Sequence, residues 1–361
     1  MGSYRSRVLV AGGGIAGLEA AIALRDLAGK RVEVEVCSPR EDFVYRPYAV
    51  GEPYGASHAF RYDLRRLTDH CGVSFRLDSI VAVDDEERRA RTHDGEEILY
   101  DHLIVAAGSC LVAGAPGAVT FWGVPDDRRV HELVCGLCER RLRRVAFTKP
   151  DGCGWALPLY ELALFAANEL AKGGVESGSL LVVTPEEVPL QLFGRRASDR
   201  VAELLADRGI EVVAGAHPIA YDGGQLRIAP GGAVEADAVL SLPRIEGRRI
   251  VGVPADWDGF VAVDDHGRVI GLRHAFAVGD VTNFPVKQGG IATQQADAAA
   301  EAIAAELGHA GAPKPFDPIL RGVLWTGGEP LYLSGHLGDG DDETVGGHLI
   351  PFLDQLDRAA A

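Results

Sequence analysis

The sequence predicts an α/β fold: two parallel-sheet units, the second inserted into the first, and a C-terminal segment. Three observations carry this reading. A strand–glycine loop–helix run, "RVLVAGGGIAGLEAAIAL", spans Arg7 to Leu24. A second strand–loop–helix run, "VAFTKPDGCGWALPLYELALFAANEL", occupies residues 145–170. A later strand runs into Gly279-Asp280 and a glycine-opened helix within "RHAFAVGDVTNFPVKQGGIATQQADAAAEAIAAEL", Arg273 to Leu307. Strands alternating with helical stretches specify parallel strands joined by crossover helices.

In the first run, a buried strand (Val8 to Ala11) meets Gly12, Gly14 and Gly17 in G-x-G-x-x-G spacing, and an Ala/Leu-rich helix follows. Each glycine has its own reason. Gly12 permits the tight turn, Gly14 lets backbone approach a pyrophosphate, and Gly17 lets the helix pack close to the strand. The helix start at Ile15 and Ala16 then faces the phosphates with free N–H groups and a positive dipole end. This is the signature of a dinucleotide site.

The next strand, "RVEVEVCS" (Arg31 to Ser38), ends where a ribose-binding acid normally stands. Alternation places Val34, Val36 and Ser38 on one side and Glu35 on the other. Ser38 is the residue expected to meet the ribose, a weaker hydrogen-bonding group than a carboxylate.

Composition narrows the function. Of 361 residues, 47% are hydrophobic and 24% charged, which suits a globular chain of about two domains. The net charge of −16 argues against nucleic acid and against an anionic membrane surface. No apolar run reaches the ~18 residues that span a bilayer. Met1 to Arg7 lead into a strand without a signal-peptide core. Six scattered cysteines suit a reducing compartment, and a cytoplasmic location is expected.

Two further segments decide the ligand: "YDHLIVAAGS" (Tyr100 to Ser109), a strand ending in a glycine turn, and the Gly279-Asp280 segment. With the first glycine loop, they resemble the FAD-dependent pyridine nucleotide–disulfide oxidoreductase superfamily over roughly residues 5–335, nearest the sulfide:quinone reductase and type II NADH dehydrogenase branches. The resemblance implies two Rossmann-like domains. Residues 1–110 and 244–310 would form the FAD domain, 111–243 a second domain of NAD(P)H type, and 311–361 an interface segment and tail. It places Ala107, Gly108 and Gly279 against FAD and gives Asp280 a hydrogen bond to the ribityl chain. The helix from about Gly290 and Ile291 would aim its N-terminus at the flavin N1/C2=O edge, where a positive dipole end favours the reduced form. Lys287 would add a full charge there. In "EDFVYRPYAVGEPYG" (Glu41 to Gly55), Arg46 and Pro47 would touch the cofactor, and Glu52 would offer a carboxylate near the ring.

The second unit keeps the pattern but not the cradle. Strands are expected at Arg144–Thr148, Ser179–Thr184 and Glu211–Ala214, helices at Leu157–Lys172 and Ser198–Arg208, and a hairpin over Gln225–Val234 with a strand at Ala236–Leu242. After the first of these strands only Gly152 and Gly154 remain, in a loop with Pro150 and Pro158. Leu157 and Pro158 stand where the third glycine belongs, and Trp155 would crowd a pyrophosphate. The resembled sulfide:quinone reductase branch shares this loss. It uses cysteines on the flavin face, and Cys153 falls where one of them lies. No cysteine follows residue 153, so a two-cysteine bridge is not expected. "CGLC" (Cys135 to Cys138) falls in an expected helix, Val130 to Arg143, and reads as a pair of structural thiols without the further ligands of a metal site.

Trp325 and Tyr332, in "PKPFDPILRGVLWTGGEPLYLSG", are candidates for a wall beside the flavin. Gln294 and Gln295 occupy the place of a glutamine pair that the type II dehydrogenases set beside quinone, although the first Gln of that motif is Gly here. "HLIPFLDQLD" is short and acidic, so a membrane anchor is not expected. The function expected is an FAD oxidoreductase serving a small-molecule donor and a quinone-like or other small acceptor, with Cys153, Lys287 and Glu52 as titratable candidates and no metal. A divergent NAD(P)H dehydrogenase and a non-catalytic flavin protein are the alternatives. Assembly as a homo-oligomer is compatible with the interface segment.

Overall fold

The structure, a computed structural model, describes residues 5–123, 128–174 and 180–336. The acidic tail and "HLIPFLDQLD" lie outside the described residues. The strands that matter here are β1 (Ser6–Ala11), β2 (Val32–Ser38), β3 (Ser74–Leu77), β4 (His102–Val105), β5 (Val119–Thr120), β6 (Val145–Thr148), β7 (Leu180–Val183), β8 (Ile210–Val213), β9 (Ala238–Ser241), β10 (Ala275–Ala277), β11 (Ile319–Leu324) and β12 (Leu331–His336). The helices are α1 (Ile15–Ala28), α2 (Leu64–Cys71), α3 (Arg128–Cys138), α4 (Leu157–Lys172), α5 (Arg195–Asp207) and α6 (Gly289–Glu306).

Two five-stranded sheets organise the chain, in the orders β10-β4-β1-β2-β3 and β5-β9-β6-β7-β8. Every pairing within them is parallel. In each sheet the strand before the loop–helix run, β1 or β6, is central with the next two strands of its unit on one side, while the outer strand on the other side is the last of the first unit, β10, and the first of the second, β5. This is the doubly wound arrangement expected from the sequence, and ligands of such sheets gather at the carboxyl ends of the central strands.

Burial follows strand alternation. Val8 and Val10 of β1 join Ile104, Phe276 and the alanines of α1 and α6 on one face, while Leu9 and Ala11 join Leu103, Val105, Ala275 and Ala277 on the other. That second face is closed by Ile80, Val83 and Ala90 of an antiparallel layer built from Ile80–Asp84, Arg89–Thr92 and Glu97–Leu99. The second sheet repeats the scheme: Val145 and Phe147 pack under α4, and Ala146 packs on the other face with Leu181, Val183 and Leu226. Covered on both faces, these strands read as continuous apolar runs.

Two expectations are corrected. α3 ends at Cys138 rather than Arg143, because Arg140 takes a positive φ of 59° and the amides of Arg143 and Arg144 donate to Asp237 Oδ2 at 2.6 and 2.9 Å. Asp237 lies far along the chain, so this stop signal is tertiary. The hairpin is three-stranded, His217–Asp222, Gln225–Ala229 and Ala233–Glu235; its first strand opens with His217-Pro218 and was not foreseen.

α1 and α6 enclose a buried acid pair, Glu19 and Asp297, joined by a hydrogen bond. Burial, then the neighbouring Glu19, pushes the Asp297 pKa up to about 8. A carboxyl with a raised folded pKa binds its proton more tightly folded than unfolded. Its contribution is complete below the unfolded value near 4 and is lost as pH rises toward about 8. The denaturant midpoint should therefore fall between pH 5 and pH 9. Asp297→Asn, which keeps the donor without the charge, should flatten that profile and stabilise the protein at pH 9 by on the order of 2 kcal/mol.

Candidate functional site

The carboxyl ends of β1, β4 and β10 meet the first turn of α1. Gly12 has φ 133°, and a Cβ there would stand 2.1 Å from the Ala106 carbonyl oxygen. A Cβ on Gly17 would stand 1.9 Å from the Gly12 oxygen. Gly14 differs: a Cβ there meets nothing within 4 Å, and its φ of −85° suits any residue. Two glycines thus close the backbone, and the third leaves an open face in front of a helix start that no side chain caps. Gly279, at φ 76°, brings its turn against this cradle, with a Cβ there 2.8 Å from Ala16 Cβ. Ala107 and Gly108 continue from β4 at the same edge, Gly108 with φ 68°.

Ser38 ends β2. Ser38 is buried, and its hydroxyl is engaged with the Arg40 backbone, accepting from the amide at 3.2 Å and facing the carbonyl at 3.3 Å. It packs against Gly13 and shapes the turn. Beyond it opens a cleft lined by Pro39, Arg40, Glu41, Asp42, Arg61 and Leu77. Arg40 and Arg61 were not singled out from the sequence. Glu35, on the other face, pairs with Arg76 at 2.7 Å.

Asp280, Arg46 and Lys287 form a charged cluster. Burial raises the Asp280 pKa against the pull of Lys287 and Arg46. Burial, then Arg40, lowers that of Arg46 against Asp280. Burial lowers that of Lys287 to about 8, against Asp280 and Asp256. Arg46 and Pro47 are solvent-accessible, so the Arg46 guanidinium lies in a recess that protein crowds but does not close. The Lys287 ammonium donates to the Thr282 carbonyl and lies 4.0 Å from the Phe260 ring centroid, a cation–π contact.

The start of α6 is partly spent on itself. Gln288 Oε1 accepts from the Ile291 amide at 3.0 Å, so that N–H is not free for a ligand. The earlier amides, Gly289 and Gly290, have no partner within the helix by its geometry. The glutamine pair is structural. Gln294 Nε2 donates to the Ile319 carbonyl at 2.8 Å and its Oε1 accepts the Ile319 amide at 2.9 Å, clamping β11. Gln295 Oε1 accepts the Gly279 amide at 2.8 Å, fixing the turn that carries Asp280.

Glu52 lies in a 3-10 segment, Arg46–Tyr54, where Oε1 accepts the Ala59 amide at 2.8 Å and Oε2 is buried without a hydrogen bond. Tyr48 gathers an aromatic wall with Tyr45, Phe60 and Trp325 at centroid distances of 5.9, 5.3 and 5.5 Å. Tyr332 stands apart from that group and is 76% exposed. Below the wall lies an acid missed in the sequence. Glu161 of α4 is 3% exposed and accepts the Trp325 amide at 3.0 Å, and burial pushes its pKa up to about 8. Its one sequence signal was a carboxylate inside the apolar run "LYELALFAANEL".

In the second unit the loop after β6 leads back to this cluster. The Lys287 amide donates to the Gly154 carbonyl at 3.0 Å, and a Cβ on Gly154 would strike Lys287 Cγ at 2.3 Å. Gly152 O accepts the Ile245 amide at 3.0 Å. Cys153 Sγ donates to the Trp155 carbonyl at 3.3 Å, and burial raises its pKa, holding it as a thiol. An acid does follow the second strand, yet it points inward: Glu186 accepts from the fully buried Tyr160 hydroxyl at 2.6 Å and from Thr184 at 3.1 Å.

Two parallel-sheet units around one intact glycine cradle, with a charged cluster at the meeting edge, define a flavoprotein of the two-dinucleotide-fold class. The chain belongs to the pyridine nucleotide-disulphide oxidoreductase family, whose profile matches residues 6–136 and 161–303. It is 30% identical over 297 residues to a NADH dehydrogenase-like protein of Mycobacterium tuberculosis, covering 76% of this chain and 72% of that one. The sulfide:quinone oxidoreductase structure of Aquifex aeolicus superposes with a TM-score of 0.79 at 21% identity, covering 92% of this chain and 84% of that one. A NAD-dependent persulfide reductase of A. fulgidus superposes with a TM-score of 0.62 at 18% identity, covering 88% and 62%. The protein is an oxidoreductase and its cofactor is FAD. The residues present fit that group: an open face at Gly14, an uncapped α1 start and Asp280 held at the next turn. No helix among the described residues is long and apolar enough to cross a membrane.

The glycines separate fold from binding. Gly14→Ala should leave the thermal midpoint of the flavin-free protein unchanged while weakening flavin binding at least tenfold. Gly17→Ala should lower that midpoint, because its methyl meets backbone. Melting curves and flavin titrations of both variants check this.

Proposed function

We propose that this protein passes electrons through its flavin from a donor other than NAD(P)H to a small planar acceptor of quinone type. The observation that carries the reading is the loop after β6, which holds no G-x-G-x-x-G run. Tyr160 and Glu186 satisfy each other in the interior, and the loop at Gly154 is bonded to Lys287, which leaves no glycine cradle for a second pyrophosphate.

FAD supplies a two-electron acceptor and donor when bound. The chain would do the rest. Gly12, Gly14, Gly17 and the first amides of α1, at Ile15 and Ala16, would hold the pyrophosphate. Asp280 would accept hydrogen bonds from the ribityl hydroxyls, with Arg46 and Pro47 along the same edge and Ala107 and Gly108 behind it. Lys287 and the amides of Gly289 and Gly290 would face the pyrimidine edge, where negative charge develops on reduction. The wall of Tyr48, Phe60 and Trp325 offers flat apolar surface to a planar acceptor. Glu161, protonated up to about pH 8 and bonded to the Trp325 amide, would be a proton source beside that wall. Glu52 braces the segment that carries Arg46. Cys153 would contribute packing, since no cysteine follows it to complete a bridge.

A second reading is a NAD(P)H dehydrogenase, favoured by the M. tuberculosis relative's name. Anaerobic addition of NADH to the yellow holoenzyme decides between them. The flavin band should persist through many seconds; rapid bleaching would establish the dehydrogenase reading. A flavin that no reductant turns over in the presence of quinones would mark a binding protein without catalysis.

Lys287 has its own signature. Lys287→Met should lower the flavin midpoint potential by about 30–60 mV near pH 6.5, since 30 mV is about 1.4 kcal/mol for a two-electron couple. The difference should shrink above about pH 8, where the wild-type ammonium loses its proton. Spectroelectrochemical titration at several pH values checks both.

A further inference from the structure

Outside the flavin site, one face of α3 gathers a histidine and two free thiols. Cys135 and Cys138 are one turn apart, the first half-buried and the second exposed. His131 lies one turn earlier, its Nε2 3.4 Å from Cys135 Sγ. Its other nitrogen, Nδ1, is 3.4 Å from the Pro53 carbonyl. A carbonyl only accepts, so Nδ1 carries the proton, and Nε2 is left as a lone pair facing the Cys135 thiol. This is a nucleophile–base–orienter arrangement. Among the described residues no group of three metal-type donors forms around it.

We propose that Cys135 and Cys138 form a dithiol modification site that is oxidised by low-molecular-weight disulfides, with Cys135 as nucleophile, His131 as its base and Cys138 as resolving thiol. In the first step the Cys135 proton moves to His131 Nε2, and the thiolate attacks one sulfur of the disulfide RSSR. The S–S bond breaks, a mixed disulfide forms, and RS⁻ leaves as RSH with the proton from His131. In the second step Cys138 loses its proton to solvent and its thiolate attacks Cys135 Sγ; the Cys135–SR bond breaks, the internal disulfide closes, and RS⁻ takes up a proton to leave as a second RSH. Two electrons pass from the dithiol to RSSR, giving two thiols. Burial, Glu169, Cys135 and Glu139 hold the Cys138 pKa up, which keeps Cys138 from acting as the first nucleophile.

The backbone allows closure. Helical i,i+3 positions hold their Cβ atoms about 5–6 Å apart, against about 3.5–4.5 Å in a disulfide. The missing ~1 Å falls in a terminal turn that contains Gly136 and breaks at Arg140, with φ 59°. An interior turn, bonded on both sides, would resist that movement.

The test uses the FAD-loaded full chain, with flavin absorbance as the fold control, incubated with glutathione disulfide near neutral pH. Free thiols are then alkylated, and the tryptic fragment Val130–Arg140 is weighed. An internal disulfide should form, and Cys138→Ser should stop at a glutathione adduct on Cys135. His131→Asn should slow the first step about tenfold and change its pH profile. The proposal is overturned if the two thiols take up separate adducts without joining. It is also overturned if Cys135 reacts no faster than Cys110, or if His131→Asn leaves the rate and its pH profile unchanged.

Discussion

The close approach of three strand ends to one helix turn governs the molecule. β1 and β4 come so near at Gly12 that a methyl would overlap the Ala106 carbonyl, and α1 presses on β1 at Gly17 just as tightly. Gly279 then fixes β10 against Ala16. These contacts set where α1 starts, and through the alanine-lined seam with α6 they set where that helix starts as well. Two helix N-termini therefore point from fixed places toward one crevice. The charged groups follow: Asp280 sits on the turn that Gln295 holds, and Lys287 precedes the α6 start that Gln288 caps.

The second unit shows that a sheet topology outlasts its ligand. Four of its five strands follow the order of the first, and the central strand is as deeply buried. What differs is how the crevice is filled. In the first unit small residues leave room. In the second, a tyrosine hydroxyl and a carboxylate satisfy each other in the interior, so neither needs an outside partner. A buried carboxylate with a hydrogen-bond donor is inexpensive to keep, while an unpaired one would be costly.

Much of this was legible in the sequence because it rests on local rules. Gly12 takes a positive φ and Gly17 lies against the Gly12 oxygen, while Gly14 keeps its face open, so their spacing exposes all three. The altered loop at residues 149–156 was legible for the same reason: prolines and Trp155 are visible where glycines belong. What stayed hidden depended on partners distant in sequence. The turn of Ser38 with Arg40, and its packing on Gly13, form only in the fold. Gln294 and Gln295 resembled binding residues, yet their amides clamp Ile319 and Gly279. Glu161 was concealed by its neighbours, since an apolar helix does not announce which of its positions faces a substrate. The end of α3 depended on Asp237, about a hundred residues away.

The hydrogen bonds from the amides of Lys287 and Ile245 to the loop after β6 also bear on folding. They tie the backbone of that loop to Ile245 and to Lys287 just before α6, at the edge where the charged cluster stands. Neither unit can open without breaking main-chain bonds of the other. The two cores should therefore melt as one cooperative transition, and slow amide exchange should extend unbroken across the junction.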